Sequence, residues 1–300
     1  MSACGVVIGL VVACGGSSRS ESDGSSGTSA GQGGSSSGAG GGAQGGASGA
    51  TSSRSSGQVY VVSLFTANEH LIEANASFSS GGPSDGRCTT DTIGPCEVTT
   101  CSDTSASSAS STTTTAPDAG PITIASATTG LDVTLTPATS GSYSFATRQG
   151  PAFTGAGSVV FTAAGNVVPA FTTTLPAPAP TVVKVVPTIV DPASDLSLAW
   201  DGGVAGVETR VQTDGGGGAP DASLICTVDS TLGALTIPSA VLERLAPGTN
   251  FLVLSVSQGK VTAGDFDVAV LAGGLATGTD GNIASFYLAG GSTSGTGGTG

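Results

Sequence analysis

The chain has 300 residues, of which 49 are glycine and only 10% are charged. A cytosolic enzyme of that length carries about 25% charged residues, so the composition argues against that class. Eight Lys and Arg stand against 21 Asp and Glu, a formal charge of −13; with no basic stripe, nucleic acid is excluded as a partner.

Residues 4–12, Cys-Gly-Val-Val-Ile-Gly-Leu-Val-Val, form an apolar run of nine. A bilayer span needs roughly 18 or more such residues, whereas a signal-peptide core needs about 7–15. The run ends in Val11-Val12-Ala13-Cys14, followed at once by Gly15 and Gly16. That tetrapeptide resembles the bacterial lipobox, in which signal peptidase cuts before a cysteine carrying a diacylglyceryl thioether. The resemblance implies that residues 1–13 are a lipoprotein signal peptide and that Cys14 is the lipidated N-terminus. It also implies a membrane partner through that lipid and a place in the bacterial cell envelope. Gly15, where an aspartate would retain a lipoprotein at the inner membrane, points to the outer membrane or cell surface.

Residues 14–57 are expected to be a disordered tether. From 15 to 57 there are fifteen glycines, fifteen serines and no large apolar residue. Nothing in that composition offsets the entropy of ordering. A Ser/Thr run at 102–115 is expected to be an exposed loop, and the tail 291–300 to be disordered.

Between tether and tail the pattern is all-β. Leu131-Asp-Val-Thr-Leu-Thr136, Leu196-Ser-Leu-Ala-Trp200, Val207-Glu-Thr-Arg-Val211 and Phe266-Asp-Val-Ala-Val270 alternate apolar and polar residues, the period of a half-buried strand. Further β-rich runs fall at 59–65, 122–126, 159–162, 167–173, 181–186, 224–228, 251–256 and 283–288. Turn residues punctuate them at spacings that suit a sandwich. One short helix is expected at Pro238-Ser-Ala-Val-Leu-Glu-Arg-Leu245, with Pro238 in the first turn and Pro247-Gly248 as the stop. The alternating prolines of Leu175-Pro-Ala-Pro-Ala-Pro180 suggest a stiff linker between two immunoglobulin-like β-sandwich modules, 58–176 and 181–290. The alternative is one larger sandwich with that segment crossing between sheets.

Four further cysteines, Cys88, Cys96, Cys101 and Cys226, suit disulfides in an exported chain. In a strand, Cys96 shares a face with Val98 and Cys226 with Leu224 and Val228, whereas Cys101 falls on the opposite face with Glu97. A buried Cys96–Cys226 bridge is therefore expected, leaving Cys88–Cys101 to staple a surface loop. The spacings do not fit a zinc site. Trp200, the only tryptophan, is expected in a core.

Ser223-Leu-Ile-Cys-Thr-Val-Asp229, Gly233-Ala-Leu-Thr-Ile-Pro-Ser-Ala-Val-Leu242, Val261-Thr-Ala-Gly-Asp-Phe-Asp-Val268 and the Cys88…Gly94-Pro95-Cys96…Cys101 pattern resemble uncharacterised secreted proteins and lipoproteins of Gram-negative soil bacteria. The resemblance implies an exported β protein and carries no catalytic residues with it.

Catalytic constellations are lacking in the sequence. Gly27-Thr-Ser-Ala-Gly31 and Gly34-Ser-Ser-Ser-Gly38 match the nucleophile elbow, and Gly40-Gly-Gly-Ala-Gln-Gly45 a dinucleotide fingerprint. All three lie in the tether without the strand and helix such motifs need. His70, the only histidine, is bracketed by Glu69 and Glu73 at helical spacing and reads as a surface or turn residue. Asp265 with Asp267, and Asp280 with Asn282, offer too few oxygens for a calcium site. Glu73-Ala-Asn-Ala-Ser77 fits an acidic bacterial N-glycosylation acceptor, a match expected to go unused. No catalytic, cofactor or metal residue is assigned. The expected function is that of a surface-tethered, non-enzymatic envelope lipoprotein with a structural or interaction role. The alternatives are a carbohydrate- or protein-binding adhesin-like module and, with less support, an extracellular hydrolase.

Overall fold

The computed structural model describes residues 55–65, 70–80, 88–101, 116–139, 141–148, 153–213 and 222–289. The expected leader, Cys14, most of the tether, its three motif matches, the 102–115 run and the C-terminal tail lie outside the described residues. In chain order the strands are β1 (Ser55–Phe65), β2 (His70–Ser79), β3 (Cys88–Ile93), β4 (Cys96–Cys101), β5 (Ile122–Ser126), β6 (Leu131–Leu135) and β7 (Tyr143–Thr147). There follow β8 (Ser158–Ala163), β9 (Phe171–Pro176), β10 (Val182–Val183), β11 (Ile189–Val190), β12 (Leu196–Asp201) and β13 (Glu208–Thr213). The last are β14 (Ala222–Asp229), β15 (Ala234–Ile237), β16 (Asn250–Ala263), β17 (Phe266–Leu275), β18 (Thr277–Gly278) and β19 (Ser285–Leu288). The expected helix forms as α1 (Ser239–Leu242), with Pro238 at its N-cap. A three-residue 3-10 turn at Ser230–Leu232 is the other helical piece among the described residues.

The alternation read in the sequence is the alternation of burial. In β5 and β6 every second residue is buried, from Ile122 and Leu131 onward. Two hairpins turn in two residues, Gly94-Pro95 between β3 and β4 and Gly264-Asp265 between β16 and β17. Both put glycine first, with φ of 59° and 58°, the conformation such tight loops require and other residues resist.

Three sheets result. The first has eleven strands, running β3-β4-β14-β13-β16-β17-β1-β2-β7, with β19 beside the start of β16 and β11 beside β19. Two four-stranded sheets, β6-β5-β8-β9 and β15-β12-β10-β18, face it. Two hydrophobic cores separate them from it. The first joins Val59, Val61, Phe78, Val268 and Val270 of the large sheet to Ile122, Val133 and Phe161. The second joins Val98, Leu224, Val211 and Phe251 to Leu198, Trp200 and Ile237. Each core makes a sandwich, so the all-β sandwich class expected from the sequence is the class observed.

The cores do not respect the expected boundary at 176–181. Cys96 and Val98, from the first half of the chain, pack in the second core, while Ala263 to Ala272 pack in the first. The reason is pairing. β4 joins β14 antiparallel and β1 joins β17 parallel, so the large sheet interleaves both halves. The proline segment is no free linker either. Ala177 and Ala179 are buried, Ala177 N–H donates to Gly157 O, and Gly155 N–H donates to Pro178 O. β1 starts at Ser55, three residues before the first expected module residue.

Some local expectations shift for local reasons. The run at 167–173 becomes a turn with Val167 exposed, and the strand forms only from Phe171. Of 181–186, only Val182 and Val183 enter a ladder. Residues 70–79, where Glu69 and Glu73 suggested helical spacing, are a strand paired on both edges.

One buried hydroxyl organises the open end of the first sandwich. Tyr143 Oη accepts from the Ala119 N–H at 2.8 Å and lies 2.8 Å from Asp118 Oδ1 and 3.1 Å from Gly120 O. Burial pushes the phenol well above its usual range. The Gly120 amide and then the Tyr143 hydroxyl hold Asp118 below the usual carboxylate range. Tyr143→Phe leaves a buried amide without its partner, and is expected to cost about 1–3 kcal/mol. Urea unfolding of the two proteins checks this; an unchanged midpoint would refute the role given to the hydroxyl.

Candidate functional site

The residues singled out in the sequence fall in three places. Cys96 and Cys226 stand opposite each other on β4 and β14, both fully buried in the second core, and are joined as a disulfide. The face-sharing read from Val98 and Leu224 therefore identified the right pair. Cys88 is disulfide-bonded and sits opposite Cys101 in the β3–β4 register. The side chain of Cys101 lies outside the described residues, so its own bond is not described. The β3–β4 hairpin is thus tied to the edge of the second sandwich. Arg244, just past α1, adds an ion pair to Asp91 of β3 at 2.6 Å.

The remaining candidates do not converge. Trp200 is buried and its Nε1–H donates to Ser230 O at 2.8 Å, a core role as expected. Asp267 pairs with Lys260 at 3.0 Å, and Asp280 accepts from the amide and side chain of Asn282. Among the described residues, no group of three His, Cys, Asp or Glu is placed to hold a metal ion. His70 begins β2, with its side chain outside the described set. Asn75 of the glycosylation pattern lies in mid-strand, opposite Tyr60 and Ser144. A notch of about 60 Å³ opens where the two sandwiches meet, lined by Ser63, Phe153, Thr181 and Leu275; it has room for little more than water.

A surface that the sequence reading missed is the other face of the large sheet. Both small sheets cover one side, through the odd-numbered residues of β16 and the even-numbered ones of β17. On the opposite side the registers set side chains in rows across the strands. One row runs Arg210, Leu254 and Leu275, and Leu64 stands opposite Leu71 just past the end of the β1–β17 ladder. The next runs Glu208, Val256, Gly273, Val62 and Glu73. A third runs Gln258, Leu271, Tyr60 and Asn75. Together with Leu252 the apolar members form a third hydrophobic cluster, in which Leu254 and Val256 are 0% exposed. Gly273 leaves a dip in the middle row, between two rows of larger side chains.

The rim of this face is polar and strained electrostatically. Arg210 is 5% exposed, its Nη2 donates to Gln258 Oε1 at 2.6 Å, and its Nε has no partner. Gln258 Nε2 donates in turn to Glu208 Oε2 at 2.9 Å. Burial pulls the guanidinium down from its usual range, against the nearby Glu208 and Glu97 carboxylates. Burial pushes Glu208 up, offset by Arg210. Across the face, burial alone pushes Glu73 up, and burial aided by Glu73 does the same to Tyr60. These polar groups frame an apolar cluster whose members are themselves buried.

Past Leu252, on the same side of the sheet, Ile189 and Tyr287 stand side by side, 67% and 51% exposed. A signal for this face was present in the sequence. Val59-Tyr-Val-Val62, Phe251-Leu-Val-Leu254 and Val270-Leu-Ala272 are continuous rather than alternating runs, the mark of strands buried on both sides.

No known protein family and no curated protein matches the chain. Among solved structures it is similar to the crystal structure of chicken CNTN1 FN1-FN3 domains, at 12% identity and a TM-score of 0.16. That match covers 64% of this chain and 66% of the other.

Two outcomes follow from this geometry. Replacing both Cys96 and Cys226 by alanine opens a loop of 130 residues and is expected to lower stability by up to about 5 kcal/mol; chemical denaturation without reductant measures it. Glu73, whose folded-state pKa is raised, favours folding fully below its unfolded value, and that contribution is lost as pH rises through the folded one. Glu73→Gln should therefore raise the melting midpoint at neutral pH and leave it unchanged below about pH 4. A lower midpoint at neutral pH would mean that the charged carboxylate stabilises the fold.

Proposed function

We propose that the chain is a lipid-anchored, non-enzymatic protein of the bacterial cell envelope, in which a long tether presents a double β-sandwich with an interaction role. The Cys96–Cys226 disulfide carries this reading: both sulfurs are fully buried and join strands 130 residues apart. Such bonds form and persist in oxidising, exported compartments. Within an exported chain, Val11-Val12-Ala13-Cys14 is the sequence that would direct acylation and cleavage. Tether length supports the same reading. From Cys14 to Ser55 the root-mean-square span is roughly 32–39 Å by chain scaling, enough to hold the sandwiches clear of a membrane.

A second reading, a binding module for a glycan or a protein partner, is favoured by the exposed Ile189–Tyr287 pair. An exposed aromatic ring on a sheet face suits stacking on a sugar or packing against a partner side chain. It complements the anchor rather than competing with it.

The anchor is tested by metabolic labelling with a fatty-acid probe. The wild type should incorporate label and lose residues 1–13, whereas Cys14→Ala should do neither. Two or three acyl chains add about 0.8 kcal/mol per buried CH₂, so the variant should also leave the membrane fraction. Equal labelling of both proteins, or an intact Met1 on the mature wild type, refutes the anchor.

A further inference from the structure

The seam between the two sandwiches carries a polar row on the covered side of the large sheet. The registers set Thr209 beside Ser255, Ser255 beside Gly274 and Gly274 beside Ser63, across β13, β16, β17 and β1. Ser257 follows Ser255 on the same face of β16. No apolar side chain interrupts the row. The rows on either side carry Val211 and Val253 into one core, and Ala272, Val61 and Ala74 into the other. Thr181, which follows the proline segment, lines the notch together with Ser63 and Gly274.

Four hydroxyls here do not suit a dry interior. Thr181, Thr209, Ser255 and Ser257 are 0–2% exposed, and their hydroxyls have no hydrogen-bond partner within the protein. Buried hydroxyls are nearly always paired, because one left unpaired carries its full desolvation cost. One orphan is tolerable, but four gathered in one seam call for a shared partner. Thr209 and Ser255 are cross-strand neighbours, about 5 Å apart at Cβ, yet they do not bond to one another. One water can bridge hydroxyls at such a separation.

Space for that partner is present. Among the described residues, a Cβ on Gly274 would meet one atom within 4 Å, the Ser63 carbonyl oxygen at 3.9 Å. The middle of the row is therefore open above the backbone. The notch beside it holds about 60 Å³, against about 10–15 Å³ for one water. None of the described residues lining it is charged, which suits a neutral ligand rather than an ion.

We infer that the seam is a hydration site: a short file of ordered waters enters at the notch, passes over Gly274 and bridges the hydroxyls of Thr181, Ser255, Thr209 and Ser257. These waters complete the hydrogen bonding of the row and keep the two apolar cores apart. The joint between the sandwiches is thus polar and wet. It is independent of the anchor reading.

Magnetic relaxation dispersion of water nuclei, measured on the full chain, counts long-lived internal waters in solution. The wild type should exceed Gly274→Val by roughly two waters or more, because the added side chain occupies the open lane. Thr209→Val keeps the shape of the side chain and removes its hydroxyl. It too should hold fewer long-lived waters, and its melting midpoint should fall, since a water loses its partner. Circular dichroism and an intact Cys96–Cys226 bridge establish that each variant is folded; if Gly274→Val is not, Thr209→Val decides alone. Equal water counts in the wild type and the folded variants overturn the inference. A higher midpoint for Thr209→Val does the same, as that is the result of removing an unpaired hydroxyl from a dry seam.

Discussion

Strand β16 is hydrogen-bonded to β13 along its first half and to β17 along its second, and the rest of the molecule is arranged around that division. Its fourteen residues give Phe251 and Val253 to one core and Ala263 to the other from a single face. Between them Ser255 and Ser257 sit at the seam, buried, with hydroxyls that lack partners. A larger residue there would push the two sandwiches apart, and an apolar one would merge their cores. Gly259 has a related role, since a Cβ on it would lie 2.8 Å from Leu175 of the facing sheet. One uninterrupted strand therefore fixes how the two sandwiches sit together, which a flexible linker could not do.

That arrangement has consequences for folding. β1 pairs with β17 across some two hundred residues of sequence, and β4 with β14 across more than a hundred. Closing such loops costs entropy before any contact offsets it, so a topology of this kind folds slowly compared with one built of local hairpins. The Cys96–Cys226 bridge opposes the same cost from the unfolded side, by restricting the long loop it closes. It joins β4 to β14, one strand in from the β3 edge of the sheet. Pairing and cross-link together hold an order of strands that the linear sequence does not favour.

Much of this was legible in residues and some of it was not. Strict alternation at 131–135 and 196–200 gave strands with nearly the right ends, and face-sharing gave the buried cysteine pair. β2 escaped because its inward residues include Ala74 and Ala76, too small to mark a period against Glu73 and Asn75. The split at 176–181 followed from prolines, which report local stiffness but say nothing of which strands pair. Parallel pairing of β1 with β17 leaves no local trace at all. The outer face left one, in runs such as Phe251 to Leu254 that are apolar on every residue. Reading such runs only as β-rich recorded their propensity and passed over their two-sided burial.

The position of β1, the first strand described, bears on the proposed anchor. In many sandwiches the first strand lies at an edge, where a pull would peel it off one bond at a time. Here β1 lies between β17 and β2, in register with the first over nine residues and with the second over ten. A load entering at Ser55 acts along the strand, so the bonds on both edges resist it together in shear. β17 is held in turn by β16, which belongs to both sandwiches. Force on the N-terminal end is thereby spread to both cores through two ladders, without passing through the proline segment or either disulfide. A domain hung by its N-terminus from a membrane would need this of its first strand, and the interleaved topology supplies it. The crossing of strands between the two halves of the chain is thus what allows the first described strand to be central.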